Sequence, residues 1–170
     1  MKERVAMSKL VEKMELKNLT PEVGLDERYV EVPDINRPAI QFAGLFEHFA
    51  AARVQIIGNV EYTYLQKLDK EVREQRYDDF LSYPIPCMIF CRNLQPDETL
   101  LEKATKANVP VFLTEKNTSE FSASVIMWLS VELAQCISIH GVLVDVYGIG
   151  VLILGESGIG KSEAALERCT

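Results

Sequence analysis

A basic surface is the first thing this chain lacks. Lys and Arg number 18 against 25 Asp and Glu, for a net charge of −7. No positive face would offset phosphate repulsion, so a nucleic-acid partner is not expected. Long apolar runs are missing too. The best stretch, Val142 to Leu154, is short and broken by Asp145, Gly148 and Gly150, so no bilayer span is expected. The N-terminal Met1-Lys2-Glu3-Arg4 leads into an amphipathic segment rather than the apolar stretch of a signal peptide. The 4 cysteines (Cys87, Cys91, Cys136, Cys169) form no two-residue-spaced pair, which argues against zinc or a redox dithiol. Cys87 and Cys91 fall in an apolar strand, where buried free thiols are common. A reducing cytoplasm is the compartment these features suggest. There is no internal repeat and no low-complexity linker. What remains is 170 residues at 48% hydrophobic, an ordinary globular composition sized for one domain and an appendage.

What the chain does have is concentrated near its C-terminal end. Val151-Leu152-Ile153-Leu154 reads as a strand buried on both faces, as in a parallel sheet. The next eight residues, Gly155-Glu156-Ser157-Gly158-Ile159-Gly160-Lys161-Ser162, fit the phosphate-binding loop pattern. The glycines lack a Cβ, so the backbone can take positive φ and approach a phosphate closely. The N–H groups of Gly158, Ile159, Gly160 and Lys161 can then point at a polyphosphate from a positive helix N-terminus. Lys161 supplies a mobile charge for the outer phosphates, and the Ser162 hydroxyl can ligate Mg²⁺. Glu163-Ala164-Ala165-Leu166-Glu167 continues with helix formers, completing a strand–loop–helix context. Glu163 reads as a carboxylate complementing the dipole of that helix.

Upstream, the pattern predicts a helix over 5–14, a turn at 20–24, a strand at 29–32 and an apolar helix over 40–52, with His48 as a packing residue. From Arg53 onward the reading is regular: strand 54–58, one long charged helix 60–81, strand 87–91, a helix opening at Pro96-Asp97, and strand 109–113. A long helix then follows a capping box at Asn117 and Glu120. That last helix carries Phe121, Val125, Trp128, Leu129 and Leu133 on one stripe. Alternating strands and helices predict a parallel-sheet α/β domain with right-handed crossovers. No glycine-rich turn follows these strands, so no nucleotide site is expected in this half. A strand pair then follows, 140–147 and 151–154, joined by a turn at Gly148-Ile149-Gly150. The expected domains are therefore 1–135, an N-terminal α/β domain with a connector helix, and 136–170.

The run from Ile139 to Glu163, which holds His140, the strand pair and the loop, resembles the signature of the HPr kinase/phosphorylase family. The likeness extends to Asn36-Arg37-Pro38, Ala43-Gly44, Gln55-Ile56-Ile57-Gly58, Glu61, Thr114 and Thr118. It implies an N-terminal α/β domain similar to the first domain of Mur ligases, followed by the truncated start of a P-loop kinase domain. It also implies a cytoplasmic enzyme of bacterial carbon catabolite repression. Such an enzyme phosphorylates a serine of the phosphocarrier HPr with ATP or pyrophosphate and Mg²⁺, and reverses this by phosphorolysis with inorganic phosphate. Gly155 to Ser162 match the family's nucleotide loop, Lys161 its phosphate-binding lysine and Ser162 its magnesium ligand. His140 matches an active-site histidine; beside the phosphates it could donate a hydrogen bond and, protonated, stabilise transferring charge.

The resemblance implies a homo-oligomer, a hexamer in the family. Gln135 stands where the family usually has proline. The family's catalytic aspartate, a second magnesium ligand and its C-terminal signature would lie past Thr170, so this stretch alone is expected to be inactive. Asp145 reads as a solvent-facing strand residue rather than a catalytic one. Two rival readings stay open: a non-catalytic regulatory or oligomerisation module, and another P-loop ATPase or carboxykinase-type enzyme.

Overall fold

The computed structural model describes residues 4–135, 140–155 and 158. The chain divides into two units, 1–134 and 135–170.

The first unit is built on a 5-stranded sheet. Four of its strands run parallel: β4 (Ile35–Asn36), β5 (Val54–Ile57), β6 (Met88–Phe90) and β7 (Val111–Leu113). The edge strand β2 (Lys17–Asn18) pairs antiparallel with β7, giving the order β2-β7-β6-β5-β4. Two further short strands, β1 (Val5–Ala6) and β3 (Tyr29–Val30), make a separate antiparallel pair.

The period-two alternation of the strands divides the core cleanly. Val54, Ile56, Cys87, Ile89, Cys91 and Phe112 face one side, against α1 (Met7–Met14) and α6 (Thr118–Glu132). Ile57, Met88, Phe90, Val111 and Leu113 face the other. There they meet α2 (Ala39–Phe42), α3 (Asn59–Lys67), α4 (Lys70–Leu81) and α5 (Glu98–Lys106). With both faces covered, β6 and β7 are apolar throughout and β5 is apolar except for Gln55, as parallel sheets favour.

Several local expectations are corrected. The segment 5–14 is not one helix: Val5 and Ala6 pair with β3 before α1 begins. The predicted strand 29–32 is Tyr29–Val30 alone, outside the main sheet. The predicted helix 40–52 stops at Phe42, because Gly44 (φ +99) and His48 (φ +59) are left-handed and end helical hydrogen bonding. His48 is exposed; the packing belongs to Phe46 and Phe49, which stack around Tyr83, with Phe49 also meeting Phe80. The charged segment 60–81 is two helices, since Leu68 leaves helical geometry at ψ 144. The sheet is parallel except at its β2 edge, a two-residue strand too short to show periodicity. The helices opening at Asp97 and Asn117 start as expected: the Asp97 side chain accepts from Leu100 N at 2.8 Å and Asn117 from Glu120 N at 2.9 Å. Asp97 also accepts from the Tyr77 hydroxyl at 2.7 Å, joining α4 to the start of α5.

Cys87 and Cys91 are free and buried. Desolvation pushes their thiols up from an ordinary value of 9.0, to about 12 and about 11 respectively. A raised folded-state value means the unfolded chain loses the thiol proton first. Stability from these groups is whole below pH 9 and is lost as pH climbs through the folded values. Between pH 9 and 10, unfolding free energy should fall by about 1 kcal/mol per pH unit for each thiol. Urea melts at stepped pH read this directly, and Cys87→Ala should flatten the slope; an unchanged slope would contradict it.

Candidate functional site

The residues that matter in the first unit gather where its parallel strands end, the edge at which open α/β sheets present ligands and helix N-termini. Just past β5, Gly58 begins α3 with no side chain of its own to cap it. The Glu61 carboxylate turns back and accepts from Gly58 N at 2.9 Å, half of a capping box. The same Glu61 oxygen accepts from Arg37 Nη2 at 2.9 Å, and Glu61 is only 2% exposed. Helix α6 arrives from the other side: a Cβ at Gly58 would lie 2.6 Å from Thr118 Oγ1 and 3.2 Å from Arg37 Nη2. Thr118 also lies close to Cys91, the residue after β6, and the charges of Arg37 and Arg92 lie nearby. Next to it, Thr114 Oγ1 accepts from Lys116 N at 3.3 Å.

Arg37, Gly58, Glu61 and Thr118, scattered along the chain among the positions that carry the family resemblance, thus form one cluster. Its chemistry is that of a lock rather than an open site. The Glu61 carboxylate takes the place at the α3 N-terminus that an anion would fill. No buried side-chain polar atom among the described residues lacks a partner.

The second unit contains the antiparallel pair β8 (Gly141–Val146) and β9 (Ile149–Leu154). The connecting turn is Tyr147-Gly148, both at positive φ (+54 and +81), not the predicted Gly148-Ile149-Gly150. Two left-handed residues match the twist of a two-residue hairpin. Asp145 closes the turn by accepting from Gly148 N at 2.7 Å, so this exposed carboxylate has a local structural task. The expectation that 151–154 is a doubly buried parallel strand is also corrected. β9 runs antiparallel to β8, and Val151, Leu152 and Leu154 are exposed, Leu154 to 54%. A four-residue apolar run does not report which neighbour its strand acquires.

The ladder ends at Gly141 opposite Leu154. His140, just before Gly141, and Gly155, just after Leu154, lie one residue beyond that last pair, at the same end of the hairpin. His140 is exposed. Gly155 leaves the strand without regular structure, and Gly158 lies in a turn at φ +90, which L side chains rarely adopt. Of the other loop positions singled out, Glu156, Ser157, Ile159, Gly160, Lys161 and Ser162 lie outside the described residues, as does Glu163.

These units define a class: a layered α/β domain, then a β-hairpin running into a glycine-rich sequence of phosphate-loop type. Family models agree on both parts, the HPr Serine kinase N terminus matching residues 5–129 and the HPr Serine kinase C-terminal domain matching residues 131–169. The chain belongs to the HPr serine kinase family. It is 55% identical over 163 residues to the HPr kinase/phosphorylase of Lachnoclostridium phytofermentans, covering 96% of this chain and 53% of that protein. The HPr kinase/phosphorylase of Caldanaerobacter subterraneus subsp. tengcongensis is 46% identical over 167 residues, covering 97% and 54%. The chain spans about half the length of the curated relatives it matches. Among solved structures, it is similar to the CBS and DRTGG domains of the regulatory region of a Clostridium perfringens pyrophosphatase, complexed with the activator diadenosine tetraphosphate. That match has a TM-score of 0.51 at 15% identity, over 71% of this chain and 46% of the other, and shows a shared fold.

Two substitutions test these local arguments. Gly58→Ala should destabilise the first unit by about 1–3 kcal/mol through overpacking. Adding Thr118→Ala removes the nearest atom, so urea midpoints should show the double variant losing less than the sum of the singles. In the hairpin, Asp145→Ala should speed amide exchange across β8 and β9 about fivefold, the loss of one hydrogen bond. Asp145→Asn keeps the accepting oxygen and should leave exchange near the wild-type rate.

Proposed function

We propose that this chain is part of a bifunctional HPr kinase/phosphorylase that transfers a phosphoryl group from ATP or pyrophosphate to a serine hydroxyl of HPr. In reverse, inorganic phosphate attacks the phosphoserine, the serine oxygen leaves and takes up a proton, and pyrophosphate is released. The carrying observation is the Gly155-to-Ser162 motif directly after β9, within a family match over both units.

What is described of the loop supports this reading. Among the described residues, Gly158 at φ +90 has nothing within 4 Å of where a Cβ would stand, which leaves room for a close approach to its backbone. Amides from Gly158 to Lys161 would bind the phosphates, with Gly155, Glu156 and Ser157 forming the arm of the loop. Lys161 would hold charge on the outer phosphates, and the Ser162 hydroxyl would hold Mg²⁺. The ion, when bound, supplies neutralisation of phosphate charge. His140, at the same end of the hairpin as Gly155, would donate a hydrogen bond to the transferring group.

The same reading makes the first unit a counterpart of the first domain of Mur ligases. It further implies a homo-oligomer working in the cytoplasm in carbon catabolite repression. No helix among the described residues is long and apolar enough to cross a membrane.

The experiment uses the full product of the gene with HPr, Mg²⁺ and ATP or pyrophosphate, and phosphoserine read by mass spectrometry. Modification of a single serine, reversed by added phosphate with release of pyrophosphate, is the expected result. Lys161→Ala should lower the rate about 10²–10³-fold, the scale on which a charge-stabilising donor acts. Hydrolysis of ATP with no phosphoserine on HPr would overturn the assignment in favour of another loop-containing ATPase.

A further inference from the structure

The contacts of Glu61 close only one stretch of the carboxyl edge of the sheet. Further along, past β6 and β7, the edge is open. Helix α5, which follows β6, packs on one face of the sheet through Leu100 and Ala104. Helix α6, which follows β7, packs on the other through Phe121, Val125 and Leu129. Connections that leave neighbouring parallel strands for opposite faces part from each other and leave a crevice, the place where open α/β sheets hold ligands. Here the crevice is a cavity of about 400 Å³, partly open to solvent, toward the low end of the volumes of small-molecule sites.

Three stretches of chain wall it. Leu113 ends β7 and Met14 ends α1; both are nearly fully buried and supply the apolar part of the lining. Lys17 stands opposite Leu113 in the β2–β7 pair. Asn93 belongs to the turn after β6, where it and Arg92 are both left-handed, at φ +56 and +58. Such a conformation is costly for a residue with a Cβ and persists only where the surroundings impose it. The imposing contacts are Arg92 N to Lys116 O at 3.0 Å and Asn93 N to Thr114 O at 2.9 Å, which tie this turn to the segment after β7. Strained backbone held in this way is a feature of ligand clamps.

The polar lining is notable for what it leaves unpaired. Lys17, Lys116, Glu15 and Glu115 all line the cavity, and among the described residues none of the four has an ion-pair partner. Thr114, only 6% exposed, accepts from Lys116 N at 3.3 Å through its hydroxyl oxygen, and that hydroxyl still has a proton to donate.

Charge decides the class of ligand. A plain anion would be drawn by two ammonium groups and repelled by two carboxylates, and a plain cation would meet the reverse. A molecule carrying one charge of each sign answers all four, and its anionic end can also take the Thr114 proton. The apolar residues call for an apolar group on the same molecule.

We propose that this cavity binds a free α-amino acid. The carboxylate lies against Lys17, Lys116 and Thr114, the ammonium against Glu15 and Glu115, and the side chain over Met14 and Leu113, beside the clamping turn at Asn93. The cavity lies wholly within the first unit and takes no part in phosphoryl transfer, so failure of the kinase reading leaves it standing and the reverse also holds.

The test is a thermal-shift screen of the full product of the gene against the proteinogenic L-amino acids, each at about 10 mM, with calorimetric titration of those that raise the midpoint. At least one with an apolar side chain is expected to bind, with a Kd between about 10 µM and 1 mM. Its N-acetyl derivative and its amide, each lacking one of the two charges, should bind at least about tenfold more weakly. Lys17→Gln and Glu115→Gln, both at exposed positions, should each weaken binding at least about tenfold with the circular dichroism spectrum unchanged.

A screen in which no amino acid raises the midpoint overturns the proposal. So does equal binding of the N-acetyl derivative or the amide, which would mark a site for a plain anion or cation. Binding indifferent to both Lys17→Gln and Glu115→Gln also overturns it, because the amino acid would then sit elsewhere.

Discussion

Parallel strands covered on both faces must find their backbone hydrogen-bond partners in neighbouring strands, and that condition governs the first unit. It demands apolar side chains on both sides of every inner strand. It sends α1 and α6 to one face and α2 through α5 to the other, and it brings the strand ends and the following helix N-termini out along one edge. Gln55 shows how strict it is. Fully buried within β5, its amide is satisfied by Asn36 of the neighbouring strand and by the carbonyls of Ala50 and Arg53, as a buried polar group must be.

At that edge the structure uses a carboxylate of its own where many α/β proteins bind an anion. Glu61 joins the α3 N-terminus, Arg37 and the end of β5 in one contact set, and Gly58 allows Thr118 of α6 to close on it from the opposite face. The consequence for function is a division of labour. The first unit is internally satisfied at the β5 end of its natural ligand edge, and under the proposed function phosphate chemistry would fall to the loop sequence that follows the hairpin of the second.

The phosphate-loop motif was readable because it is local. A loop that wraps a phosphate needs glycines, a lysine and a hydroxyl at fixed spacing, and that need is written in consecutive residues whatever surrounds them. Helix starts at Asp97 and Asn117 were legible for the same reason, each being a side-chain oxygen bonded to an amide three residues on. The break at Leu68 and the early end of α2 were not. Hydrophobic periodicity continues through both, and only the packing of Phe46 and Phe49 around Tyr83 and Phe80 makes a folded-back loop better than more helix.

The sequence by itself therefore determined the alternating α/β class, the β5–β7 strands, the capped helices and the phosphate-loop motif, because each is encoded within a turn or two of chain. Tertiary structure alone decided three other things. It paired β2 antiparallel at the sheet edge, a matter of which strand lies nearby. It gathered Arg37, Gly58, Glu61 and Thr118, far apart in the chain, into one lock. It turned one apolar stripe of α6 inward and left the other facing out, because a helix apolar on every side has no preference until a sheet covers one of them.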